Sequence, residues 1–222
     1  MLGDISGKYE SNNDVGAVST GAGDLGGISY GAHQFIATVA NAFANWLVQK
    51  GNSYGNMLAQ YQAPSSGFSD MWRHIAKIDP EGFLALQHEY TKIKYYDVAE
   101  GLLQAENYHL EKHSMAMKEC VFSRAVQYGP YYIVELFKEG LERLNPDYLN
   151  LSYVDDISFD KAIISSIYDF LTQECDEAYQ VSNGLYHSPK DWANGSYDVV
   201  KIGLKNRFIN EKQDLLNLLR SE

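Results

Sequence analysis

Six of the 18 glycines fall between positions 16 and 31, at 16, 21, 23, 26, 27 and 31, in company with Ser19, Thr20, Asp24 and Ser29. A stretch of this composition cannot hold a helix. Each interior glycine costs a helix about 1 kcal/mol relative to alanine, and Ser, Thr and Asp draw backbone hydrogen bonds to their own side chains. Turns and a small antiparallel β segment are expected there, spanning about residues 15–31.

Beyond it the apolar residues recur every three or four positions. Phe35, Ile36, Val39, Ala40, Phe43, Trp46 and Leu47 share one helical face, which Gly51 ends. Asp79-Pro80 reads as an N-cap followed by a first-turn proline, with Phe83, Leu86, Tyr90 and Ile93 as the buried stripe. Further helices are expected near 97–112, 115–128, 130–143 and 158–180. A last one is expected from about Ser196 to Leu219, with loops at 62–67, 144–157 and 183–195. The expected class is mainly α (α+β), two-lobed and helical, with a small β segment near the N-terminus. No long polar linker interrupts the chain, so residues 1–222 are expected to form a single domain.

The formal net charge of −11 argues against nucleic acid, which basic patches bind. It favours a cationic or neutral substrate. The 17 tyrosines suit a carbohydrate cleft and an ordinary core equally. Cys120 and Cys175 match no metal spacing and read as buried free thiols. The first ten residues lack an apolar run, and no segment approaches the length of a membrane span. Synthesis without a signal peptide is therefore expected. If the target is a wall polymer, delivery falls to a lysis pore, an injection apparatus or a larger parent chain.

The glycine segment fits three motifs. Gly21, Gly23 and Gly26 satisfy G-x-G-x-x-G, but a dinucleotide loop must lie inside a βαβ unit, and the chain offers no parallel strands. Gly27-Ile28-Ser29-Tyr30-Gly31 satisfies G-x-S-x-G, but a nucleophile elbow follows a buried hydrophobic strand, and here a polar run precedes it. The third reading pairs Glu10 with Asp24, fourteen positions on, across a hairpin. Glycosidic cleavage needs one protonated carboxyl for the leaving oxygen and one ionised carboxylate on the other face of the sugar. Taken singly, Glu10 also reads as a capping carboxylate, Asp24 as an Asx-turn residue and Ser29 as a turn serine.

The residues carrying a resemblance are Tyr9-Glu10-Ser11, Val18-Ser19-Thr20-Gly21, Gly23 through Gly31, and Gln34. Weaker similarity continues through Trp72, Ala76, Asp79-Pro80, Phe83 and Gln87. It recurs in Ser123–Gly129, in Ile167-Tyr168-Asp169 and in Asn206–Lys212. This pattern resembles the family 46 chitosanases of the lysozyme superfamily. It is closer still to the chitosanase-like muramidase domains of phage lysins and type VI secretion spike effectors. Tyr128 stands where a histidine is expected, and His33 where an aromatic ring is commoner; both bear on substrate contacts.

The resemblance implies a lysozyme-like fold and inverting hydrolysis of β-1,4-linked peptidoglycan. Glu10 would be the general acid, Asp24 the general base and Ser29 the residue orienting the attacking water. Tyr30, Gln34 and Gln127 would contact substrate. The alternatives are a chitosanase, which the acidic charge favours, and an inactive wall-binding or tail-structural module of the same fold. No cofactor, metal, nucleic acid or membrane partner is expected. The expected form is a monomer acting at the bacterial wall after release or delivery, with an immunity or delivery protein as its partner.

His109 and His113 stand four apart without a third ligand and read as a solvated pair. Trp46 and Trp72 read as core, and Trp192 as the most exposed tryptophan. Arg207 and Glu211 read as an i,i+4 ion pair.

Overall fold

The computed structural model describes residues 2–11, 13–19, 27–176, 192–193 and 198–222. The chain is mainly helical. Its helices are α1 (Asp4–Ser11), α2 (Ala37–Gln49), α3 (Ser53–Leu58), α4 (Ser66–Ile78), α5 (Pro80–Thr91), α6 (Asp97–Ala105), α7 (Met115–Tyr128), α8 (Ile133–Glu142), α9 (Asp160–Glu174) and α10 (Asp198–Ser221). Strands β1 (Ser29–Tyr30) and β2 (Phe35–Ile36) pair antiparallel, Ser29 with Ile36 and Tyr30 with Phe35, and Val18 adds a bridge to Tyr30. The chain divides into two compact units, Ser6–Ile93 and Lys94–Glu222 with Met1–Ile5.

The Ser6–Ile93 unit is built around Trp72. Its ring lies 4.9 Å from Phe83, 5.4 Å from Tyr30 and 5.6 Å from Phe43, centroid to centroid, all tilted or edge-on. Such pairs add roughly 0.5–1.5 kcal/mol each beyond the area they bury. Short polar residues start the helices around this core. Asn52 accepts from the Tyr54 amide, Ser65 from Phe68 and Asp79 from Gly82, and Pro80 follows Asp79 as the first helical residue.

In the second unit α7 is buried on nearly every side, as a helix at the centre of a core must be. It carries Cys120, fully buried, and two buried charges. The Glu119 carboxylate accepts from the backbone amides of Gly3 (2.7 Å) and Ile5 (3.3 Å), and burial pushes its pKa up to about 7. Arg124 pairs with Glu211 of α10 at 2.7 Å, among the rings of Tyr128, Tyr168 and Phe208. Burial alone would raise the Glu211 carboxyl; Arg124 and Arg207 outweigh it and hold the pKa below the usual range. The expected Arg207–Glu211 pair is present at 3.3 Å, on a carboxylate that Arg124 and Tyr168 also hold. Cys175 is buried just past α9, its thiol donating to the Leu171 carbonyl at 3.3 Å.

Several expectations need correction. Phe35 and Ile36 belong to a strand, and α2 begins at Ala37. Pairing with Tyr30 sends Phe35 into the aromatic core and leaves Ile36 exposed, so the β segment runs on to position 36. The helix expected over 97–112 ends at Ala105; Asn107 has φ +63° and residues Leu110–Lys112 form a separate 3-10 turn. Helices α3 and α4 had no sequence-based counterpart. A π-helical turn, Lys92–Tyr96, joins α5 to α6, and the expected loop at 144–157 contains 3-10 turns.

Candidate active site

Glu10 lies in the last turn of α1 and is half-buried. The next residue ties this helix end to the hairpin: Ser11 Oγ donates to the Ala32 carbonyl at 2.9 Å. The chain then folds back at once, with the Asn13 amide on the Gly7 carbonyl and the Asp14 amide on that of Ser11. Gly7 makes this approach possible, since a β-carbon there would sit 2.0 Å from the Asn13 side-chain oxygen.

The arms on either side of residues 20–26 are held together at Ser19 and Ser29. The Ser19 amide donates to the Ser29 carbonyl at 2.9 Å, and the Ser29 amide donates to Ser19 Oγ at 2.8 Å. Asp24 falls between these anchors and lies outside the described residues, as does its separation from Glu10.

Ser29 is buried, and its hydroxyl donates to Gln34 Oε1 at 2.6 Å. Gln34 also donates from Nε2 to the Gly31 carbonyl at 3.0 Å, and it adopts φ +49°, a left-handed conformation uncommon for a residue with a β-carbon. The two residues thus form one local unit inside the hairpin turn. Tyr30 corrects the sequence reading. Its ring is completely buried, edge-on to Phe68 at 5.2 Å, with its hydroxyl on Ser69 at 3.1 Å. It is a core ring that roots the hairpin and presents no face to a sugar. Gln127 lies near the end of α7, in the other unit, half-buried with its side-chain oxygen enclosed and without a partner among the described residues.

Sequence reasoning did not assign a role to Gln87. Its Oε1 accepts from the Ala32 amide at 2.9 Å and its Nε2 donates to the Val15 carbonyl at 3.1 Å, so one side chain clasps both arms of the hairpin. Trp72 Nε1 reaches the same Val15 carbonyl at 3.0 Å. The clasp requires Gly31: at φ +72°, a β-carbon would lie 2.2 Å from Gln87 Oε1 and 2.7 Å from the Trp72 ring. A signal was present, because Gln87 is a polar residue one turn after Phe83 on the buried stripe of α5. Beside this clasp His33 meets His88, Nε2 to Nδ1 at 3.1 Å, and burial together with His88 holds the His33 pKa down to about 3.

The remaining polar candidates are structural. His113 is enclosed, with Asp160 at 2.6 Å and Tyr108 stacked at 4.1 Å, which corrects the solvated reading; His109 pairs with Asp155 at 2.8 Å. Lys112 also holds the Asp155 carboxylate. Trp192, expected to be exposed, is buried with its Nε1 on Glu139 at 2.7 Å.

Over residues 2–212 the sequence matches the family described as type VI secretion system spike protein VgrG3-like, C-terminal. The chain belongs to that family. The VgrG3-like match takes in both the hairpin and the Arg124–Glu211 pair. The type VI secretion system spike protein VgrG3 of Vibrio cholerae serotype O1 (strain ATCC 39315 / El Tor Inaba N16961) is 28% identical over 221 residues. The alignment covers 98% of this chain, which spans 19% of the relative's length.

Proposed function

We propose that this VgrG3-like chain hydrolyses the β-1,4 bonds of peptidoglycan by an inverting mechanism. Glu10 protonates the leaving oxygen, and Asp24 deprotonates the attacking water. The observation that carries the reading is the tie between the α1 end and the hairpin, Ser11 to Ala32. It anchors the helix end that carries Glu10 to the turn after Tyr30, on the arm that leads back toward the Asp24 segment. The motif from Tyr9 to Gln34 supports the same assignment, and the spike-protein family supports delivery by a type VI secretion system as the setting.

Ser29 acquires a direction in this scheme. Its proton is committed to Gln34, so its oxygen offers only lone pairs. A water that gives one proton to Asp24 can give its other to Ser29, which aims the water's lone pair at the anomeric carbon. An inverting pair needs room for that water, so the carboxyls are expected roughly 6.5–9.5 Å apart.

The test is turnover of purified sacculi. Glu10→Gln and Asp24→Asn should each lower it by roughly a hundredfold or more, with unchanged melting, since positioned acids and bases contribute that much. Wild-type rates in either variant exclude the assignment. Proton NMR of fresh product should show the α-anomer first; an initial β-anomer makes Asp24 a nucleophile. The net charge of −11 favours one other reading, a chitosanase acting on a polycation. Reducing ends released from chitosan, with sacculi left intact, would select it.

A further inference from the structure

A second feature of the Ser6–Ile93 unit lies between α2 and the connection from α3 to α4. A pocket of about 270 Å³ is lined there by Asn41, Ala44, Asn45, Ala59, Tyr61 and Gln62. We propose that it is a separate saccharide-binding site that takes one neutral sugar unit of a glycan chain. The nature of that chain rests on the hydrolase reading above; the sugar chemistry of the pocket does not.

The lining has a consistent chemistry. None of the six residues is charged, so a charged ligand would find no counter-ion. Three primary amides supply donors and acceptors, the complement of hydroxyl and acetamido groups. The amides of Asn45 and Gln62 have no side-chain hydrogen-bond partner among the described residues and are exposed at the rim. Asn41 has a different part. It accepts from the Ala63 amide at 2.9 Å and donates to the Ala63 carbonyl at 3.1 Å. That double bond fixes the Tyr61–Gln62 arm onto α2 before any ligand arrives, which lowers the ordering cost of binding.

Tyr61 supplies the platform. Its ring lies against the first turn of α4, where Gly67 has no side chain; a β-carbon there would come within 2.4 Å of Cδ1 and 2.6 Å of Cε1. The ring is therefore held against protein along its Cδ1–Cε1 edge, and it is still 42% exposed. A fixed, half-exposed aromatic beside free amides is the arrangement that stacks on a sugar face. The volume lies below the roughly 300–1,000 Å³ usual for pockets that enclose a small ligand, so one ring fits and the chain continues outside. Such a site would hold an insoluble polymer near the enzyme and raise its effective concentration, with little effect on a short soluble substrate.

The experiment titrates tetra-N-acetylchitotetraose, a neutral soluble probe, into the isotopically labelled full chain and follows side-chain amide signals. The Asn45 and Gln62 amides should shift. Tyr61→Ala and Asn45→Arg should weaken that binding about tenfold or more, and Tyr61→Phe should keep it. Asn45 is an exposed helical position, so Asn45→Arg fills the pocket without touching the core. Both weakened variants should lose activity on sacculi and keep their rate on a soluble oligosaccharide. Shifts confined to residues around Glu10, or equal affinity in Asn45→Arg and wild type, overturn the site. Stronger shifts with a charged stem peptide overturn its neutral character. Amide shifts at Asn45 and Gln62 in a chain inert on sacculi uphold the site and count against the hydrolase reading alone.

Discussion

Two glutamines close the hairpin by different routes, Gln34 from within the turn and Gln87 from α5. Gln87→Leu keeps the volume and removes both bonds. The Ala32 amide is then left without its acceptor, and Val15 retains only Trp72. A buried group without its partner costs about 1–3 kcal/mol, so the urea midpoint should fall by that equivalent. Activity measured well below the midpoint should fall as well, because the arms leading to Asp24 lose their clasp. Unchanged activity in a destabilised variant would make Gln87 purely structural. Gln34→Ala frees the Ser29 hydroxyl to rotate, and its rate should match that of Ser29→Ala, both falling between wild type and Asp24→Asn. The sequence singled out both Ser29 and Gln34 but not the bond between them, which depends on the turn at Gly31 and the left-handed φ of Gln34. The burial of Tyr30 was not legible either: in a two-residue strand, which face is inward depends on Phe68 and Trp72, far along the chain. Trp192 was misread for the same reason, its partner Glu139 being remote in sequence.

Among the elements, α2 and α5 were readable from their apolar stripes; α4 was not, although Ser65 caps it and Phe68, Trp72 and Ile75 line its buried face, because the loop expected at 62–67 runs over its first turn. Asp79-Pro80 marks α5, and the side chain does what the pattern implies. Asp79→Ala removes the cap and the acceptor for the Tyr54 hydroxyl at 2.8 Å. A cap is worth roughly 0.5–2 kcal/mol, and a calorimetric melt should register a loss at the upper end of that range. Short α3 escaped notice because six residues give less than two turns of periodicity. Strand β2 was hidden because Phe35 and Ile36 extend the apolar stripe of α2 backwards in phase; only pairing with β1 tells them apart. Gly31→Ala tests that hairpin directly. It combines a left-handed φ with a clash against Gln87 and Trp72, and it should unfold the Ser6–Ile93 unit at lower denaturant than any single cap variant.

The whole molecule joins two cores that respond to acid in opposite senses. His33 has its pKa lowered to about 3, against 6.5 unfolded. The unfolded chain therefore binds the extra proton between those values, and the Ser6–Ile93 unit loses stability as pH falls from about 6.5 toward 3. Glu119 has its pKa raised to about 7, against 4.5 unfolded. Its native carboxyl holds the proton longer, and the Lys94–Glu222 unit loses stability as pH rises from 4.5 through 7. Each slope is about 1.4 kcal/mol per pH unit for a full proton. Calorimetry between pH 4 and 8 should show His33→Phe flattening the profile of the Ser6–Ile93 unit below about pH 6.5, and Glu119→Gln flattening that of the Lys94–Glu222 unit between about pH 4.5 and 7. An unchanged profile in either variant would contradict this division. The buried thiols carry a further consequence. Burial holds Cys120 up to about 12 and Cys175 up to about 11. Neither forms thiolate at neutral pH, and neither is joined to the other. The native fold is thus indifferent to redox potential: a reducing cytosol has no bond to break, and an oxidising compartment finds no thiolate to capture, so passage between them requires no oxidative refolding on arrival.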